Sequence, residues 1–273
     1  MEIGGELSKR DASNPKPVVK PSVVDTHCHP YLMEGEPQET LQMARDAGVA
    51  SFVCVGIDPR SSHLSLALAE THEDVVSTAG MHPHEASELD PQGRLEIERL
   101  LENPLVVGVG EAGLDFFRML SPVEDQEAAF KWQLGLAREC GKPIVVHIRD
   151  AWERGLEILG EEEGASVVLH CFSGDVAIAR ECAARGYFIS MAGPITYLKN
   201  QHLRDAAAEA PLEALLTETD SPYLSPQSMR GRENSPANVI AVVEEIVRAR
   251  NDAFDVVAEA TSSNAERAFP GLR

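Results

Sequence analysis

The sequence predicts an α/β fold, a single (β/α)8 TIM-type barrel with a metal site at the C-terminal mouth of its strands. Three observations lead there. Eight short apolar runs, mostly β-branched, recur along the 273 residues without polar alternation, as expected of parallel strands covered on both faces. Segments with helical spacing separate them, and no domain-sized break interrupts the alternation. Side chains able to bind metal stand where the runs end, from the first run to the last. A closed barrel gathers such ends at one mouth. An open doubly wound sheet, the competing architecture, would spread them across its width.

The predicted strands are residues 23–25, 51–55, 75–79, 106–109, 144–146, 167–169, 187–190 and 215–217. The first helix is read over 37–47 from Leu41, Ala44 and Ala47, with Gly48 as its stop. The second, 61–71, carries Leu64, Leu66, Leu68 and Ala69. Pro91 opens the third as a first-turn proline, followed by Leu95, Leu100 and Leu101. The longest, 123–140, sets Ala129, Trp132, Leu136 and Ala137 on one side and ends at Gly141. Helices at 151–159, 175–184 and 202–210 follow. Two more, 236–250 and 253–269, close the chain, the last with Val256, Val257, Ala260 and Ala268 facing inward. Residues 1–21 read as a flexible polar leader, and 22–273 as the barrel.

Composition narrows the function. A net charge of −20 repels polyanions at long range, so any nucleic-acid substrate must be held locally by bound metal and a few Arg or Lys side chains. Five cysteines without paired spacing do not form a disulfide framework. Cys28, Cys54, Cys140 and Cys171 read as small buried hydrophobes, and reduced thiols suit the cytoplasm. No stretch has the apolar length of a membrane span, and the leader lacks the apolar core of a secretory signal.

The chemistry resides in short motifs. In VVDTHCHP, His27 and His29 are two apart and share a side of an extended strand, where two imidazoles can grip one ion. Asp25, on the same side, is placed to orient a histidine. Glu111 follows VVGVG, and the glycines around it allow close backbone approach; its carboxylate can bridge two cations, or cap a loop. His147 stands in VVHIRD with Arg149 on its side of the chain, where a guanidinium can fork onto a phosphate or pair with a neighbouring acid. His170 ends VVLH. Asp220 ends LLTETD and can serve both as ligand and as base toward water, with Glu218 two residues earlier. His82 and His84 in GMHPHEA can touch substrate or shape a loop fixed by Pro83, and Arg118 beyond Glu111 can touch substrate. His63, His72 and His202 fall in helical patterns and read as surface residues. Mixed imidazole and carboxylate donors suit one or two divalent ions such as Mg, Mn or Zn.

Taken in order, DTHCH, GMHPHEA, GEAGLDFFR, PIVVHIRDA, LHCFSG and ETDSPYL resemble the motifs of the TatD family of metal-dependent DNases, within the amidohydrolase-like barrel superfamily. The resemblance runs from Val23 to Phe269 and leaves out only the leader. It implies two divalent metal ions: one on His27, His29, Glu111 and Asp220, the other on Glu111, His147 and His170, with Glu111 bridging. It also implies His82 near the substrate and hydrolysis of DNA phosphodiester bonds by a metal-activated water, with Glu111 and Asp220 as catalytic groups and Asp220 handling the proton. Ala112 and Phe116 depart from the larger residue and the Tyr common in relatives; they alter the pocket wall and leave the ligands intact.

The strong negative charge adds a preference for ends or single strands over long duplexes, hence exonuclease action; with the resemblance, the expectation is a 3′–5′ deoxyribonuclease type with no membrane or obligate protein partner. Two alternatives stand beside it. One is a metal-dependent hydrolase of a small ester, lactone or amide, which an apolar mouth would favour. The other is a non-catalytic, metal-stabilised binding barrel, which stoichiometric metal without turnover would favour.

Overall fold

The computed structural model of the chain describes residues 23–162 and 164–272; the expected leader lies outside them. Eight parallel strands form one sheet in sequential order. They are β1 (Val23–Cys28), β2 (Val49–Val55), β3 (Val75–Ala79), β4 (Val106–Asp115), β5 (Ile144–Arg149), β6 (Val167–Leu169), β7 (Phe188–Met191) and β8 (Leu215–Thr217). The sheet curls until β8 meets β1. Threonine hydroxyls stitch much of that seam: Thr26 Oγ1 donates to the Thr217 carbonyl (3.0 Å) and Thr217 Oγ1 to the Val24 carbonyl (3.1 Å). Past the strand ends, the Asp220 N–H donates to the His27 carbonyl (2.9 Å) and the His29 N–H to the Ser221 carbonyl (2.8 Å).

Helices cover the outside: α1 (Pro37–Ala47), α2 (Pro59–Thr71), α3 (Pro91–Leu101), α4 (Val123–Cys140), α5 (Trp152–Glu161), α6 (Val176–Ala184), α7 (Gln201–Glu209), α8 (Val239–Arg250) and α9 (Phe254–Ala268). Prolines at the starts of α1, α2 and α3 need no N–H partner there. Asp58 caps α2 through the Ser61 N–H at 2.6 Å, which moves its start two residues ahead of the expected one. Gly48 and Gly141 end α1 and α4 in the left-handed conformation, as expected.

Two apolar layers result. The outer one lies between sheet and helices, with Leu41, Phe52, Ile97, Phe130, Leu134, Ile158 and Ile189 buried. The inner one fills the barrel with Val24, Val53, Val55, Val76, Val107, Val145, Val168 and Leu216, packed against Ala265 and Ala268 of α9 and Phe269 just beyond it. Most of these inner residues belong to the early parts of their strands. The late parts carry polar side chains inward, so the barrel has a dry floor and a wet mouth.

Some expectations shift. Val256 is 48% exposed, because adjacent helical positions diverge by about 100° and α9 turns Val257, Ala258, Thr261, Asn264, Ala265 and Ala268 inward. Leu64 and Leu95 are also exposed. Cys140, the last residue of α4, is exposed and Cys171 is half-buried, while Cys28, Cys54 and Cys182 are buried; all five are free thiols. Strands β1, β4 and β5 run three to six residues further toward the mouth than the apolar runs suggested, because their polar ends pair across the ladder without needing apolar surroundings. Among the described residues no helix is long and apolar enough to cross a membrane.

Candidate metal centre

The late parts of the strands deliver the predicted residues to one place. His27 lies inside β1 and His147 inside β5, each before its strand ends. Glu111 lies mid-strand as well. The β4–β5 register is broken between Val109 and Ala112, and the irregularity re-aims Glu111 toward the barrel axis. The sequence around it permits this. Gly110 and Gly113 adopt φ of +124° and +142°, and a Cβ on Gly110 would lie 2.6 Å from the Val145 carbonyl while one on Gly113 would collide with that of His147. The Glu111 N–H donates to the Gly56 carbonyl at 2.9 Å, which holds the shifted strand in place.

Glu111 is the hub. Its Oε2 is 3.3 Å from His27 Nε2, and its Oε1 is 3.0 Å from His147 Nδ1 and 3.4 Å from both His170 Nε2 and His82 Nε2. His27 Nε2 and His29 Nε2 face one another at 3.1 Å, and Asp220 Oδ1 is 3.5 Å from His29 Nε2 and 3.8 Å from His27 Nε2. All six residues read as ligands from the sequence therefore meet, and three-residue groups drawn from them and their neighbours have donor atoms within 4.8 Å of one another.

Ring partners set which nitrogens are available. His29 Nδ1 lies 2.8 Å from the Val55 carbonyl, which can only accept, so Nδ1 carries the proton and the Nε2 lone pair points into the site. Glu218 Oε1 is 2.7 Å from His170 Nδ1 and also accepts the Cys171 N–H at 2.8 Å, leaving His170 Nε2 toward Glu111. Asp115 Oδ2 is 3.2 Å from His147 Nε2, leaving Nδ1 toward Glu111. Outer carboxylates of this kind orient metal-binding imidazoles. His82 differs. Its Nδ1 accepts the His84 N–H at 3.0 Å, so in the neutral ring Nε2 bears the hydrogen and is a donor. That geometry fits a group that hydrogen-bonds substrate better than a ligand, although His82 sits as near Glu111 as His170 does.

Protonation follows from burial set against neighbours. Burial alone would strip His170 of its proton, but Glu218 and Glu111 outweigh it and push the ring up to about 10. His147 is raised, Asp115 and Glu111 overcoming burial. Burial drives His82 down to about 4, and burial with the nearby His170 lowers His27. Glu111 is held well below the usual carboxylate range: its burial is overcome by His170, His82, His27 and His147. Asp220 is lowered too, against its burial, by His29, His170 and His27. The anions are thus fixed as anions amid a crowd of imidazoles.

An open cleft of about 500 Å³ leads to this cluster, with Arg118, Arg149, Tyr223 and Leu224 among its walls. Among the described residues Arg149 pairs with no acid; its guanidinium carbon lies over the Phe117 ring, 4.0 Å from the centroid. Asp25 departs from expectation. Its carboxylate accepts the N–H groups of His27 (3.3 Å) and Thr219 (2.9 Å) and the Thr219 hydroxyl (2.6 Å), so it locks backbone across the β8–β1 seam and orients no imidazole. Asp115, not among the site residues expected from the sequence, is fully buried between His84 Nε2 (2.9 Å) and His147 Nε2 (3.2 Å). Its spacing was the available signal: Glu111, Gly113 and Asp115 alternate along one strand. Of the helical histidines, His63 and His202 are exposed and His72 is half-buried.

Comparisons with known proteins show the family. The "3'-5' ssDNA/RNA exonuclease TatD" of Erwinia tasmaniensis is 38% identical over 239 residues, covering 85% of this chain and 92% of that protein. The "uncharacterized metal-dependent hydrolase YabD" of Bacillus subtilis is 33% identical over 249 residues, covering 90% and 98%. The crystal structure of YjjV, a TatD homologue from Escherichia coli K12, superposes with a TM-score of 0.87 at 30% identity, covering 91% of this chain and 98% of that one. Residues 24–270 match the family described as TatD related DNase. The chain belongs to that family of metal-dependent hydrolases.

Proposed function

We propose that this hydrolase removes nucleotides from the 3′ end of single-stranded DNA, using two divalent ions. In this reading His27, His29, Glu111 and Asp220 hold one ion, and Glu111, His147 and His170 the other. The observation that carries it is the convergence of these donors around one buried carboxylate, with Nε2 of both His29 and His170 turned inward by groups behind them. Two imidazole nitrogens facing each other at 3.1 Å beside two carboxylates is a donor set that a cation suits. Imidazole and carboxylate together are compatible with Mg, Mn or Zn. The substrate and polarity are supported by the printed name of the Erwinia relative.

Bound there, divalent ions would neutralise phosphoryl charge and acidify a water. The chain's own residues supply the rest. Asp220, held anionic, takes the proton of the attacking water. His82, neutral near pH 7, offers its Nε2–H to a phosphate oxygen, and the free edges of Arg118 and Arg149 balance charge as the bond breaks. No protein partner enters this reading, and the free thiols fit a cytoplasmic setting.

The test is a 5′-labelled single-stranded oligonucleotide given to the chelator-stripped protein reloaded with Mg, Mn or Zn. The expected result is a ladder shortening from the 3′ end, lost in Glu111→Gln and in Asp220→Asn. An oligonucleotide left intact with every ion, or undiminished cleavage by both variants, overturns the proposal.

A further inference from the structure

We propose that the mouth selects unpaired strands by stacking their bases on two platforms: Tyr223 on one side, and Arg149 set over the Phe117 ring on the other. The inference rests on the nucleic-acid reading above and names what would grip the strand.

Strands β4 and β8 lie four positions apart in an eight-strand barrel, so the segments that follow them face each other across the mouth. Each presents an aromatic ring: Phe117 is 59% and Tyr223 is 52% exposed. Both rings stand on clamped backbone. The Phe117 N–H donates to buried Asp115 at 3.0 Å. The Tyr223 N–H donates to the Asp220 carbonyl at 2.8 Å, and its carbonyl accepts Asn234 Nδ2 at 2.7 Å. An exposed aromatic ring costs little to order when its backbone is already fixed, and Tyr223 forms part of the cleft wall itself.

Arg149 is the second independent observation. It lines the cleft, no carboxylate pairs with it among the described residues, and its guanidinium carbon lies over the Phe117 ring, 4.0 Å from the centroid. A guanidinium held this way offers one face to a base and its edge to a phosphate. In a chain of net charge −20, a cation kept free at this point matches a polyanion entering there. Bases in a duplex are already stacked and their faces hidden, so only an unpaired end can use both platforms.

The experiment compares metal-loaded wild type with Phe117→Ala and Tyr223→Ala on two single-stranded substrates, an oligothymidylate and the same strand with its last two nucleotides abasic. Each variant is expected to lose roughly 5- to 150-fold in kcat/KM on the intact strand, the range for one base–aromatic stack. The wild type is expected to lose a similar factor when the bases are removed, and the penalty of each substitution shrinks severalfold on the abasic strand. Equal wild-type rates on both strands, or equal penalties on both, overturn the stacking inference while leaving the nuclease reading intact. No cleavage of either strand by the wild type overturns both.

Discussion

Removing the Asp115 carboxylate isolates one part of the site without any metal present. Its Oδ1 accepts the N–H groups of Phe117 (3.0 Å) and Arg118 (2.7 Å), and its Oδ2 faces His84 Nε2 (2.9 Å) and His147 Nε2 (3.2 Å). Asp115→Ala leaves all four without their acceptor in a fully buried position. Deleting one partner of a buried charged network costs about 3–5 kcal/mol, and a domain of this size loses about 2–4 °C of Tm per kcal/mol, so a fall of about 6–20 °C is expected. Asp115→Asn keeps one oxygen for the two backbone donors and turns an amide NH2, a donor, toward the imidazoles, losing both the charge and the acceptor there. At about 1.5–3 kcal/mol for a hydrogen bond to a charged group, the fall is about 3–12 °C.

The pH dependence has a definite sign. Burial opposes the charge on Asp115, but His147, the Arg118 N–H and His84 prevail and hold its pKa well below normal. A carboxylate depressed on folding stabilises fully above its unfolded value, about 3.9, and loses that contribution as pH falls through the folded value. The gap between wild type and Asp115→Asn should therefore persist from pH 7 to 5 and narrow in strong acid. Scanning calorimetry in chelator reads all of this. An Asp115→Ala variant melting within about 2 °C of wild type, or an Asn variant as damaged as Ala, would refute the reasoning.

Phe269→Ala, at the barrel floor, should cost about 3–5 kcal/mol in denaturant unfolding while leaving the bound-metal content of the loaded protein unchanged; a metal deficit would mean floor and mouth are not separable. Glu218→Gln removes the anion behind His170, and metal affinity by competition titration should weaken about 10–100-fold; unaltered affinity would contradict an orienting role. Asp74 is partly buried, yet Arg45, forked onto it at 2.6 and 2.7 Å, lowers its pKa. Arg45→Ala should cost up to about 1 kcal/mol at pH 7, with the difference vanishing at pH 2–3; a loss that persists in acid would assign it to packing instead.

The barrel itself was readable because its strands are buried on both faces. A run such as VVSTA or IVV has no solvent side to alternate with, and glycines and prolines mark where each helix turns back. The reading failed where a side chain's direction depends on a neighbour in space. Val256 and Val257 look alike in the chain, and only the packing of α9 against the barrel exposes one and buries the other. The ends of β1, β4 and β5 were missed because polar residues continued the ladder there. Asp25 was placed correctly on its strand but assigned the wrong partner, since its donors come from Thr219, nearly two hundred positions away.

The order and chemistry of His27, His29, Glu111, His147, His170 and Asp220 are properties of the chain, and parallel strands closing into a barrel bring such residues to one end whatever the details. What each ring nitrogen does is not local information. The acceptor behind His29 belongs to β2, that behind His170 follows β8, and that behind His147 lies on β4. A hydrogen bond a few tenths of an ångström long enough to fail cannot be read from spacing. The difference between His82, a donor at Nε2, and His29, whose Nε2 bears the lone pair, was therefore decided only when the strands met.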